Sequence, residues 1–186
     1  MDLLTVNEGK ALSRLVILAL LTAGGVGLFV FESLLPQPLP GGKIGLSQVA
    51  TIFALYLFGL PSAFAVILMR IFITSLLMGT MLNPIFIFAL AGGIVSTLTM
   101  GLVRRYVGAI TILGNSVLGA LTHNATQLVV AYVVYIHQSE IFWLLPYLIL
   151  ISLAAGLGIG LVTRLLLARY FVMISPHYSL EAEGNG

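Results

Sequence analysis

The sequence predicts an all-α, polytopic membrane protein of six transmembrane helices with both termini in the cytoplasm. Three observations carry this. Hydrophobic residues make up 60% of the 186 and charged residues only 8%, whereas a soluble domain holds about 45–50% and about 25%. The mean hydropathy is +1.14, so lipid is the natural solvent for most of the chain. Apolar stretches approaching the roughly 20 residues that cross a bilayer recur along the whole length, punctuated by proline, glycine and arginine. Six of them leave room for a tail at 1–10, one membrane domain at 11–170 and a polar tail at 171–186 that is expected to be disordered. A second, soluble domain does not fit.

The first span runs from about Ala11 to Leu35 and stops at Pro36, Pro38 and Pro40. Polar MDLLTVNEGK precedes it and no small-residue cleavage site follows a short apolar core, so it reads as a retained helix rather than a leader. The second, from about Ile44 to Phe58, is closed by Gly59 and Pro61. The third, from about Ser62 to Met78, ends before the turn between Gly79 and Pro84. Both are short, and Pro61 suggests a partial break between them. The fourth runs from about Pro84 to Val103 and ends at Arg104 and Arg105. The fifth, from about Ala109 to Ile136, is long enough to tilt. The sixth, from about Phe142 to Leu167, carries Trp143, Tyr147 and Tyr170 at depths suited to the interface.

Orientation follows from the cations. With the N-terminus inside, Lys10, Arg14, Arg104, Arg105, Arg164 and Arg169 all face the cytoplasm. Lys43 alone faces outward, and Arg70 lies within a span. That asymmetry is the positive-inside bias, and both termini inside require an even number of spans.

Several function classes drop out. There are no cysteines, which removes disulfides, thiolate metal sites and cysteine nucleophiles. The pI near 9.1 reflects a few asymmetrically placed charges and implies no nucleic-acid partner. Glycines 156, 158 and 160 imitate a nucleotide loop but lie inside an apolar span with no strand before them. His123 and His137 are about 21 Å apart along a helix and cannot share a metal ion. Nothing in the sequence argues for a haem on either one. No catalytic residue, metal or cofactor is expected.

Four features remain. Ala19, Ala23 and Gly27 recur every four residues on one face of the first span. Such a stripe permits close helix approach in lipid, either within this bundle or to a second membrane protein. Between Glu32 and Lys43, three prolines stiffen the outer connection and Gly41 and Gly42 allow a turn, so the loop is suited to capping a cavity. Arg70 sits near mid-span, where an arginine costs about 2.5–3.5 kcal/mol on insertion scales and needs a partner; Glu32 and the fifth span are the available ones. That fifth span carries Asn115, Gly119, His123 and Gln127 at intervals of four, flanked by Asn124 and Thr126. The second span answers with Ser47, Gln48 and Thr51. Polar packing between helices competes with ligand binding as the reason for this set. On the binding reading, Glu32, Lys43, Gln48, Arg70, Asn115, His123, Asn124 and Gln127 line a substrate site. Its two cations against one acid suit an apolar small molecule with an anionic head.

The runs Glu32-Ser-Leu-Leu-Pro36, Pro40-Gly-Gly-Lys-Ile-Gly-Leu46, Ala91-Gly-Gly93 and His123-Asn-x-x-Gln127 resemble a bacterial membrane family. That family is known as heptaprenyl diphosphate synthase component I or as the Gx transporters, and the likeness extends from about Leu15 to Leu167. It is similar in turn to the substrate-binding S components of energy-coupling-factor transporters. The resemblance implies six helices, a bacterial inner-membrane location, and uptake of a small molecule with a transmembrane coupling protein and ATPase subunits. It also implies that Ala19 and Ala23 dock the coupling protein, that the outer loop covers the substrate, and that later helices line the pocket. A second expectation is a non-transporting membrane partner in isoprenoid or quinone metabolism, or in flavin-linked extracellular electron transfer. A self-contained prenyl synthase is not expected. Its diphosphate chemistry needs clustered carboxylates around Mg²⁺, and Asp2, Glu8, Glu32, Glu140, Glu181 and Glu183 are scattered.

Overall fold

A computed structural model describes residues 3–34, 45–81 and 83–183. Among them there is no strand. Six α-helices follow one another: α1 (Leu3–Leu34), α2 (Gln48–Phe58), α3 (Leu60–Leu77), α4 (Pro84–Val107), α5 (Ile112–Ala131) and α6 (Leu145–Glu183). A π-helical turn, Tyr132–Ile136, extends α5, and a 3-10 turn, Ser139–Leu144, leads into α6. Between them His137 takes a left-handed conformation (φ 53°) that ends the π-turn. The connection 35–44, with its three prolines, Gly41, Gly42 and Lys43, lies outside the described residues.

Five segments are long and apolar enough to cross a bilayer: Ala11–Leu34, Leu60–Leu77, Pro84–Val107, Ile112–Ile136 and Ser139–Met173. The sixth apolar helix, α2, has 11 residues. At 1.5 Å per residue it is about 17 Å long, well short of the roughly 30 Å hydrocarbon layer. The second stretch, read from the sequence as a short span beginning at Ile44, is therefore trimmed at its start: Gly45 (φ 83°) to Ser47 form a turn and the helix begins at Gln48. Gly59, at φ 83°, makes the whole connection to α3, a backbone region where a side chain would be strained. Pro61 follows in the first turn of α3, where its missing N–H costs nothing.

The short helix is the centre of the molecule. Every residue from Val49 to Leu55 is buried. α2 packs on α1, α3 and α6, and its side chains reach α4 through Gln48 and Ser96 and α5 through Tyr56 and Asn115. The remaining contacts run α1 to α3, α3 to α4, α4 to α5 and α5 to α6. Val49, Ile52, Leu55, Ala63, Met100 and Ile159 make the principal core cluster. Glycines let the helices close: a Cβ on Gly156 would lie 2.6 Å from the Val117 backbone, and one on Gly160 2.9 Å from that of Leu113. Large apolar side chains such as Leu20, Met69, Leu150 and Leu165 point outward, as lipid contact requires.

Arg104 of α4 meets the last carbonyls of α2. Its guanidinium donates to the Leu55 and Tyr56 carbonyls and lies 4.3 Å over the Tyr56 ring. Arg14 of α1 holds the same junction, donating to Ser62 Oγ at 2.6 Å. At the other end of the chain the backbone of α6 continues to Glu183, across most of the tail at 171–186 expected to be disordered. Leu180, Glu181, Ala182 and Glu183 are good helix formers, and extending a helix is far easier than starting one.

Candidate functional site

The polar interior divides into two levels. The upper level gathers one side chain from nearly every helix. Glu32, near the C-terminal end of α1, is only 2% exposed. Its carboxylate accepts the backbone N–H of Gly45 at 2.5 Å and of Leu46 at 3.2 Å, tying α1 to the turn that starts α2. Arg70 of α3 is 6% exposed and feels the Glu32 charge. It runs close to α1 and α2: a Cβ on Gly25 would meet both the Arg70 Cδ and the Ala50 Cβ at 3.1 Å. His123 and Gln127 of α5 stand one turn apart, with His123 Nε2 and Gln127 Nε2 3.1 Å from each other. They press on Gly92 of α4, where a Cβ would come 2.9 Å from the imidazole and 3.2 Å from Gln127. Arg70 and His123 lie within electrostatic range of each other. Gln48 of α2 reaches Ser96 Oγ at 3.5 Å, and Ser96 bonds the Gly93 carbonyl.

Arg70 Nε and Nη1 are buried with no hydrogen-bond partner, as are Thr51 Oγ1, Thr97 Oγ1, Asn115 Oδ1 and Ser116 Oγ elsewhere in the interior, whereas His123 turns its ring toward the Gly92 backbone. An unsatisfied buried polar atom costs about 1–3 kcal/mol, and a charged one more. Native interiors keep few of them, so each calls for a physical reason.

Asn115 is elsewhere. It is fully buried two turns before His123, near the N-terminal end of α5, and donates to Tyr56 Oη at 3.4 Å beside the Arg104 clamp. Four-residue spacing advances 40° per step, so Asn115 and Gln127 differ by about 120° in direction and about 18 Å in height. Gly119, between them, is filled by Met100. The stripe thus serves two levels instead of forming one ladder. Asn124 turns the other way again and donates to Ser152 Oγ of α6 at 2.8 Å, a bond that joins two helices. Lys43 lies outside the described residues. The structure therefore brings together Glu32, Gln48, Arg70, His123 and Gln127, and leaves Asn115 and Asn124 apart.

Sequence reasoning passed over Ser96, Gly25 and Gly92 as members of this level. The Gly24-Gly25 and Gly92-Gly93 pairs are the available signal, and only contact tells the tight member from the open one: a Cβ on Gly24 would meet nothing within 4 Å. Ala19, Ala23 and Gly27 are exposed on the outside of α1, and a Cβ on Gly27 would also meet nothing.

Among the described residues no three histidine or carboxylate side chains come together as a metal site would require. Comparison with curated proteins gives no match. Comparison with solved structures gives none either. A family model does match, that of heptaprenyl diphosphate synthase component I, over residues 21–166. The match takes in α2 to α5 whole and parts of α1 and α6, including every residue of the upper polar level, and the chain belongs to the heptaprenyl diphosphate synthase component I family.

Proposed function

We propose that this chain is a membrane-embedded binding component that captures a small molecule from the outer side for uptake, powered by a separate ATPase through a transmembrane coupling protein. The observation that carries the reading is the upper polar level itself. Five helices contribute Glu32, Gln48, Arg70, Gly92, Ser96, His123 and Gln127 to one polar level, where two buried nitrogens of the Arg70 guanidinium have no protein partner. Intramembrane ionisable residues mark ligand or ion sites by default. In this reading α2 counts as the sixth passage, both termini are cytoplasmic, and the membrane is the bacterial inner membrane. The exposed Ala19–Ala23–Gly27 face is where the coupling protein docks. The chain is not an enzyme on this account, and it needs an external ATPase because it has no phosphate-binding loop.

One observation favours a second reading. The family is named as a component of a prenyl diphosphate synthase, so a non-transporting partner of an isoprenoid enzyme is the alternative. Gentle purification from native membranes followed by native mass spectrometry separates the two. The uptake reading expects one small molecule per chain together with coupling and ATPase subunits. A prenyl synthase subunit and an empty site would sink it in favour of the alternative.

A further inference from the structure

The turn between α5 and α6 sits at a depth where neither water nor hydrocarbon suits it. About 20 residues of α-helix climb the roughly 30 Å of a bilayer's hydrocarbon. Counted from Ile112, the first residue of α5, they end at Tyr132, where the π-turn begins. Counted outward from Arg164, an exposed cation of α6 that belongs at the opposite interface, they end at Leu144, the last residue of the 3-10 turn. The two counts agree, so the stretch from Val133 to Trp143 stands just beyond the hydrocarbon. All of it except Ile141 is exposed. Yet Val133, Val134, Tyr135 and Ile136 on one side of the turn, and Phe142 and Trp143 on the other, are apolar or aromatic, and Trp143 is 85% exposed. Polar residues are confined to the apex, His137, Gln138, Ser139 and Glu140.

We infer that this turn is an anchor for the lipid headgroup layer, the outer one in the orientation proposed above, with the Trp143 indole among the glycerol esters and only the apex in water. Apolar surface left in water costs about 25 cal/mol per Å², which tells against a turn standing clear of the membrane. Hydrocarbon is excluded for a different reason. Backbone that leaves the regular helix cannot be satisfied there, and here the chain passes from a π-turn through left-handed His137 into a 3-10 turn. The headgroup layer meets both demands. Its ester and phosphate oxygens accept from backbone and indole N–H groups, while the ring faces stay against the upper acyl chains. The turn also continues the lipid-facing surface: exposed Val129 leads along α5 to Val133, and exposed Leu150 and Ile149 lead along α6 to Leu145. No charged residue interrupts that surface between Val129 and Ile136 or between Ile141 and Leu153. A protein interface would carry a polar rim there, so lipid is the better occupant. Two ring contacts, each at 5.3 Å, stiffen the anchor: Tyr132 on Phe142 joins the two sides of the turn, and Tyr135 on Phe88 ties it to α4. The inference needs a membrane protein only, and stands whether or not the chain takes part in uptake.

Trp143 is the one tryptophan of the chain, so the unaltered protein reports its own depth. The full chain is placed in phosphatidylcholine nanodiscs, whose two faces are both open to aqueous iodide. Part of the lipid carries bromine, either near the top of the acyl chains or near their ends. Tryptophan fluorescence should be quenched several-fold more by the shallow bromine than by the deep, and several-fold less by iodide than that of free N-acetyltryptophanamide. Iodide quenching equal to that of the free amide, with none by bromine, would put the turn in water and leave its surface to a protein partner. Stronger quenching by the deep bromine would put the turn inside the hydrocarbon. Either result overturns the inference. A second chain, Trp143→Phe with Glu140→Trp, moves the reporter to the apex by changing two exposed positions. Iodide should quench it several-fold more there than at Trp143. Equal shielding at the two positions would overturn the division of the turn into an anchor in lipid and an apex in water.

Discussion

Arg70 shows how one side chain can be sited by residues that have no side chain at all. Its stem passes Gly25, and His123 leans on Gly92, so two α-carbons set how near the cation and the imidazole come. Adding one methyl tests this. Gly92→Ala places a Cβ 2.9 Å from the imidazole, closer than carbon and nitrogen normally approach. It should displace His123, lower occupancy of the bound small molecule and cost about 1–3 kcal/mol by overpacking. Gly24→Ala, whose Cβ would meet nothing within 4 Å, should leave occupancy unchanged. Native mass spectrometry reads the occupancy and a thermal melt reads the stability; equal behaviour of the two variants would mean that the His123 position does not matter for binding.

Helix by helix, the same reasoning explains why a segment of 11 residues holds the middle of the bundle. A helix too short to cross lipid survives there only if its end carbonyls find donors, and Arg104 provides them. Arg104→Gln loses a charge-assisted bond and the stack on Tyr56, so a destabilisation of about 2–3 kcal/mol is expected in a reversible unfolding measurement. A loss below the scatter of neutral surface variants would show that the clamp is incidental. The seam between α5 and α6 gives an internally controlled pair. Gly156→Ala pushes a Cβ to 2.6 Å from the Val117 backbone, which cannot rotate away. The melting temperature should drop sharply. Gly158→Ala meets open space and should stabilise by up to about 1 kcal/mol through helix propensity alone.

For the molecule as a whole, the proposed topology and docking face are open to direct measurement. Because the chain contains no cysteine, single cysteines report position without background. A cysteine replacing Glu140, in the exposed turn before α6, should react with an impermeant maleimide on intact cells. One replacing Tyr106, exposed at the opposite end beside Arg105, should react only after lysis. The opposite pattern would invert the proposed orientation. Ala23→Trp adds bulk at an exposed position of α1. Thermal stability and ligand occupancy should stay as they are while the coupling subunits are lost from the purified complex. Retention of those subunits would place the docking surface elsewhere.

The sequence is sufficient for the lipid solvent, the helical class and most helix ends, because these follow from local quantities. Runs of apolar residues have a length, and prolines and glycines stop helices by sterics that operate within a few residues. The burial of Arg70 within a helix, and the pairing of His123 with Gln127 one turn apart, follow from the same local rules. What those rules do not contain is which faces meet. They did not show that α2 begins only at Gln48 and is wrapped by the others, that Asn115 belongs with Tyr56 while Gln127 belongs with Gly92, or that Asn124 turns to Ser152. Nor did they show that Glu32 is held by the Gly45 and Leu46 backbone rather than standing free for a ligand. In a membrane, apolar faces gain little by leaving lipid for one another, so periodicity points less surely inward. Close backbone approach at small residues and the satisfaction of buried polar atoms decide the packing instead, and both depend on residues far apart in the chain.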